Sequence, residues 1–195
     1  MIVLGIDPGF AAFGWSLIRY SKCGSRELVD IGLISTEKSQ LKVKVADDNL
    51  RRIREIDTAL RAIQDPQEGP VLGKNGCGWL VCAEGPSFGM RNAGTQAKIS
   101  LSWGTLLSLA NGGDIPILTN TPTDIKKRTT GAGTASKIEV EHAVIHQYGF
   151  LSLDAELRAR KLHAKKNRNH IVDSIAACIS AERMEMFLVM RKMSP

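Results

Sequence analysis

The residues Ile2-Val3-Leu4-Gly5-Ile6-Asp7-Pro8-Gly9 open on an unbroken apolar run and close on a carboxylate at a Pro-Gly turn. A run without polar alternation suits a short strand buried on both faces. Asp7 then stands at the exposed end of a rigid element. Taken alone it has two readings, a turn-forming residue or a placed charge, because Asp is common at turns. The run Trp79-Leu80-Val81-Cys82-Ala83 repeats the design: it ends on Glu84, and Gly85-Pro86 follow.

Between these two runs the chain changes period. Residues 13–20 are aromatic and β-branched and predict a second strand, and Leu28–Ser35 a third, so an antiparallel meander is expected. Residues 40–64 place Leu50, Ile53, Ile56, Leu60 and Ile63 at helical spacing, with Asp47 or Asp48 available as a cap. Residues 66–78 read as a glycine-rich loop. A second helix is expected over Asn92–Ala110, with a small-residue face of Gly94, Ala97, Ser100 and Gly104, and a fifth strand over Ile115–Thr119. Residues 120–134 read as a long polar segment carrying Lys126, Lys127 and Arg128. A third helix is expected from Ser136 to Tyr148, with Ser136 and Glu139 spaced as a capping box and Gly149 at its end. A basic stretch over 151–169 precedes a final helix, read from Asn169 toward Met190. Three early strands followed by helices alternating with two more imply an α/β layer fold with a mixed five-stranded sheet, three antiparallel strands then two parallel, flanked by helices.

With 195 residues, one domain over 1–195 is expected. No run reaches the roughly 18 apolar residues of a membrane span. The N-terminal run has no basic leader and is interrupted by Asp7, so the protein is expected in the cytoplasm of a bacterial or virus-infected cell, away from membranes. The four cysteines, Cys23, Cys77, Cys82 and Cys178, form no Cys-x-x-Cys pair and read as free thiols. A net charge of +6 points to an anionic partner, of which nucleic acid is the usual one.

The last helix adds His170 and Asp173, three residues apart and therefore on one helical face. An acid opening a helix gains a few tenths to about 1 kcal/mol from the helix dipole, which is a sufficient structural reason for Asp173 by itself. If the two acid-tipped strands are neighbours, Asp7, Glu84, His170 and Asp173 can meet at one rim of the sheet. Carboxylates gathered there repel one another unless neutralised. Mg²⁺ suits such hard oxygen ligands, and the imidazole admits Mn²⁺ in its place. Two ions about 3.5–4 Å apart can activate a water and stabilise the leaving oxygen in phosphodiester cleavage.

This ordered set resembles the RuvC family of Holliday-junction resolvases, within the RNase H-like superfamily. The set comprises Gly5-Ile6-Asp7-Pro8-Gly9, Glu84 after an apolar strand, and His170-x-x-Asp173 before an alanine-rich stretch. Phe88, Arg91-Asn92-Ala93, Lys98, Gly104, Ile125-Lys126-Lys127 and Lys137 extend the likeness from Met1 to about Ala181. The resemblance implies an RNase H-like fold and a metal-dependent, structure-selective endonuclease. It would resolve four-way DNA junctions by paired symmetric nicks, acting as a homodimer with the small face of the second helix at the contact. By the same resemblance Asp7 bridges two metal ions, Glu84 and Asp173 hold one each, and His170, standing where an Asp is commonest, is a metal ligand or a proton-transfer group. Lys126 and Lys137 contact phosphate near the scissile bond, which makes Lys137 part of the catalytic set. Phe88 stacks on an unpaired base, worth about 1–3 kcal/mol. Arg91, Lys98, Lys127, Arg128, Lys165, Lys166 and Arg168 complete the DNA-binding surface.

Competing readings are weaker. Another RNase H-like nuclease, cutting branched DNA or RNA–DNA hybrid more broadly, is the nearest alternative. A sugar- or acetate-kinase type phosphotransferase expects Ser or Thr after the first turn and a second domain, whereas Phe10-Ala11-Ala12 follow here. A catalytically silent DNA-binding protein would have no need of the acids. Gly131–Lys137 lacks the glycine a Walker loop requires, and His142 with His146 lacks the Glu of a zinc-protease helix.

Overall fold

The computed structural model describes residues 1–65, 69–70, 79–86 and 93–194. The main sheet has the order β3-β2-β1-β6-β7, built from β1 (Ile2–Pro8), β2 (Ala12–Tyr20), β3 (Arg26–Ser35), β6 (Trp79–Glu84) and β7 (Ile117–Asn120). β1 pairs antiparallel with β2, β2 with β3, and parallel pairing joins β1 to β6 and β6 to β7. This is the mixed sheet expected. Two residues each in β4 (Gln64–Asp65) and β5 (Gly69–Pro70) form a separate antiparallel rung, where the sequence reads the end of a helical stretch at Gln64 and a loop over 66–78.

Alternation assigns the strand residues to two faces. Ile2, Leu4, Ile6, Trp79, Val81 and Ala83 pack against α1 (Val45–Arg61) and α2 (Ala93–Gly112), through Ile56, Leu60, Trp103, Leu106 and Leu109. Val3, Leu80, Cys82 and Leu118 face the opposite layer, whose centre is α6 (Lys165–Ala181). Both layers exclude water from β1 and β6, which is why these strands carry no polar alternation.

The helices differ from expectation in five places. The N-cap of α1 is Lys44, whose side chain makes no cap, rather than Asp47 or Asp48, and Asp48 instead accepts from Ser39 N and Arg51. Pro122–Thr130 is a helix, α3, within the segment read as polar loop. Thr121 caps it through Asp124 N, Pro122 opens it, and Gly131 closes it at φ +89°. Leu153–Ala159 is a further helix, α5, in the basic stretch, followed by α6, which starts at Lys165 rather than Asn169. The final helix ends at Ala181 and a separate α7 covers Glu185–Met193. Between α3 and α5 runs α4 (Lys137–His142), with the Ser136–Glu139 capping box in place, continued by a wider π-helical turn over Ala143–Gln147. Among the described residues no helix is long and apolar enough to cross a membrane.

Candidate active site

Asp7 shares the face of Val3 and Gly5, and Glu84 shares the face of Leu80 and Cys82, so both acids point toward the α6 layer. The parallel register pairs Ile6 with Ala83. One step further along it, Asp7 and Glu84 lie side by side at the ends of adjacent strands. Both line a cleft of about 80 Å³ with Pro8, Gly9, Ile99 and Trp103. At the end of the third parallel strand stands Asn120 rather than an acid. Its amide is turned away to Ser180 Oγ at 2.9 Å.

α6 delivers the remaining groups because glycines let its backbone reach the strands. A Cβ on Gly5 would lie 2.3 Å from Ser174 O, and one on Gly14 would lie 2.3 Å from His170 O. Gly14 is the register partner of Asp7. The helix is therefore seated at His170, next to the acid it serves. His170 Nδ1 and Asp7 Oδ2 are 2.6 Å apart. This hydrogen bond leaves Nε2 on the outer edge of the ring.

Asp173 is not at a helix start. It lies in the third turn of α6, 9% exposed, so the dipole account of its presence does not apply. Its partner is the Lys137 ammonium, brought in by the capped start of α4. Burial pushes the Asp173 carboxyl above its ordinary range, and Asp7 adds to this, while Lys137 and His170 pull the other way without prevailing. Burial would lower the Lys137 pKa, but Asp173, and more weakly Asp7 and Glu84, hold it above the usual lysine value. Lys137 thus lies within the field of all three acids.

Among the described residues no three His, Cys, Asp or Glu side chains stand in metal-holding proximity. Asp7 is turned to His170 and Asp173 to Lys137. The donor set nonetheless fits a hard divalent cation: three carboxylates and one imidazole, on rigid elements, with a lysine supplying the counter-charge in this conformation.

The basic residues divide in two. Arg168 Nε donates to Glu141 at 2.7 Å and Nη1 meets Asp154 at 2.5 Å, so it ties α6 to α4 and α5. Arg128 Nη1 donates to Ser180 O at 2.9 Å and anchors α3 to α6. Lys98, Lys127, Lys165 and Lys166 are exposed and Lys126 is half-buried. Phe88 and Arg91 lie outside the described residues. His142 and His146 stack at 4.5 Å on the exposed side of α4 and its π turn. Reading the sequence alone missed Gly14 and the cleft residues Ile99 and Trp103. A glycine inside an aromatic strand was the available sign for Gly14, since it marks close backbone approach.

This sheet, with acids ending β1 and β6 and a crossing helix at their rim, defines an RNase H-like α/β fold. No family model matches the chain. A crossover junction endodeoxyribonuclease RuvC from Pseudothermotoga lettingae is 33% identical over 147 residues, 74% of this chain and 78% of its own. Another, from Bacteroides fragilis, is 32% identical over 71% of this chain and 64% of its own. Among solved structures, Thermus thermophilus RuvC superposes with a TM-score of 0.59 at 20% identity, over 94% of this chain and 96% of that one. The same protein in complex with a Holliday junction substrate gives 0.59 at 19% identity, over 95% and 97%. The chain belongs to the RuvC family of crossover junction endodeoxyribonucleases.

Proposed function

We propose that this protein is a divalent-metal-dependent endonuclease that resolves four-way DNA junctions by paired symmetric nicks. The observation that carries the reading is the placing of Asp7 and Glu84 at the ends of adjacent strands, lining one cleft, with His170 seated on Asp7 by the glycine contact beneath it. Membership of the RuvC family supports it.

Asp7, Glu84, Asp173 and His170 would hold the metal, two Mg²⁺ ions with Mn²⁺ able to substitute, which when bound supplies Lewis acidity and an activated water. His170 is oriented by Asp7 through Nδ1, so Nε2 is the atom available to a ligand or a proton. Lys137 neutralises Asp173 until that charge is balanced otherwise. Its ammonium is then free for a phosphate oxygen at the cleft. Lys126 and Lys127 on α3, Lys165 and Lys166 at the start of α6, and Lys98 on α2 supply the exposed charge for a polyanion. Arg128 and Arg168 are engaged within the fold and are better read as structural. The small face of α2 supports a homodimer, because Gly94, Ala97, Ser100 and Gly104 are all exposed.

The test is cleavage of a synthetic four-way junction, linear duplex, flap and RNA–DNA hybrid with Mg²⁺, Mn²⁺ or EDTA. Paired nicks in the junction alone, lost with EDTA, are expected. No cutting of any substrate with either metal would overturn the reading. Asp7→Asn should slow cutting on the order of a thousand-fold, about 4 kcal/mol of transition-state stabilisation, while junction binding by gel shift is retained.

A further inference from the structure

A second cavity, of about 200 Å³, lies between the segment joining β3 to α1 and the first turns of α1 and α2. We propose that it binds one unpaired nucleotide of a DNA strand, with the phosphate toward Lys38 and Lys98 and the base toward Leu41, Val43 and Val45. This deepens the nuclease reading, on which the identity of the strand rests.

The walls have the two characters a nucleotide needs. Leu41 is 76% exposed and Val45 68%, apolar surface that the fold leaves uncovered at one place. Lys38 and Lys98 are exposed and form no ion pair with another described residue. The acid in the lining, Asp48, accepts from Ser39 N and from Arg51 Nη2, so its charge is already answered.

The floor carries a buried guanidinium. Arg52 is 6% exposed and stacks 4.2 Å above the Phe10 ring. Nε donates to Thr36 Oγ1 at 2.9 Å, and Nη2 to Thr36 O at 3.2 Å and Phe10 O at 3.4 Å. All of these acceptors are neutral. Nη1 donates to no oxygen among the described residues, yet it is not among the polar atoms sealed from solvent without a partner. Nη1 therefore keeps contact with solvent, and Arg52 lines this cavity, so an unsatisfied guanidinium donor is available to acceptors on a base edge.

Size and place agree with this occupant. The cavity is smaller than the ~300–1,000 Å³ of drug-sized sites and suits a single base. Phe10 follows Asp7 by three residues, and Lys98 immediately precedes Ile99, which lines the acid cleft. Neighbouring residues of α2 thus line the two cavities, which puts this one within reach of a strand bound at the acids.

The experiment titrates a fluorescent dT₅ pentamer into the wild type, Val43→Trp and the Lys38→Ala/Lys98→Ala double variant, with melting temperatures alongside. In parallel, junctions carrying an abasic site at each position flanking the cut are bound and cleaved. Val43 is 47% exposed, so the tryptophan fills the cavity without entering the core. Both variants should weaken dT₅ binding at least five-fold at unchanged melting temperature. One abasic position should weaken wild-type junction binding, and Val43→Trp should be insensitive to that position. Variants that bind dT₅ within two-fold of wild type would overturn the proposal, as would an equal loss on intact and abasic junctions, which marks surface charge alone. Val43-dependent dT₅ binding by a protein that cuts no junction would uphold the cavity and remove the nuclease reading instead.

Discussion

α6 covers one face of the sheet with eleven consecutive buried residues, 171–181, whereas α2 covers the other with six of its twenty. α6 achieves this with small residues, Ser174, Ala176, Ala177, Cys178 and Ser180, and by resting its backbone on Gly5 and Gly14. α2 reaches the sheet chiefly through large side chains, Trp103, Leu106 and Leu109, and turns Gly94, Ala97, Ser100 and Gly104 outward. Among the described residues nothing stands within 4 Å of a Cβ added at Gly104. The same residue type therefore serves opposite ends. On α6 smallness brings a helix down onto the acids. On α2 it leaves a surface open. A small-residue stripe in sequence announces close approach without saying whether the neighbour is inside the molecule.

Gly14→Val should separate the two faces most sharply. Its side chain meets the His170 carbonyl, which is backbone and cannot yield. We expect a loss of about 1–3 kcal/mol from overpacking, and cleavage at least about a hundred-fold slower from displacement of His170 by an ångström. Chemical denaturation and junction cleavage measure the two effects.

Asp173→Asn should divide stability from activity. The folded pKa of Asp173 is raised above 3.8. Its contribution to stability is thus complete below the unfolded value and is lost as pH rises through the folded one. Metal-free Asp173→Asn should melt at or above the wild-type temperature, with the difference widening as pH rises above the ordinary carboxylate range, while cleavage is abolished. A variant less stable than wild type across that rise in pH would mean that the Lys137 pair outweighs burial.

Arg168→Ala should lose about 1–2 kcal/mol, because two carboxylates are left facing an empty place, with junction affinity within two-fold. Lys165→Ala and Lys166→Ala should do the reverse: an unchanged melting temperature, and a salt dependence of binding shallower by about one unit each. The smallest effect is expected at Gly104→Ala, a gain of about 0.5–1 kcal/mol from helix propensity in the isolated chain. If Gly104→Leu also converts a dimer to a monomer in sedimentation, the outward face of α2 is the contact.

Much of this architecture was legible from residues alone. Two apolar runs with acid ends are long-lived local patterns, and β1, β6 and their parallel neighbour follow from them. α3 and α5 were missed because each is short and charged. In α5 only Leu153 and Leu157 are buried, and in α3 only Ile125 and Thr129. Periodicity over so few apolar positions is faint, although Thr121, Pro122 and Gly131 mark both ends of α3. The start of α6 was read too late because Lys165–Asn169 is polar on every side. In the site, the acids could be listed but their partners could not. Lys137 meets Asp173 across 36 residues, and His170 meets Asp7 across 163. Such contacts are set by sheet order and helix crossing, which no local pattern encodes.

The capping box at Ser136 and Glu139 gives the site components of unequal mutability. Asp7, Glu84 and Asp173 are built into β1, β6 and α6, and none can shift without repacking the core. Lys137 hangs from the first turn of a six-residue helix, behind a short link from Gly131 to Gly133 whose first two residues are exposed. One residue gained or lost in that link would move the ammonium by a full step and leave the acids where they are. Divergence among relatives can then retune how the protein meets a phosphate through an insertion in a surface loop, with the hydrolytic centre inherited intact.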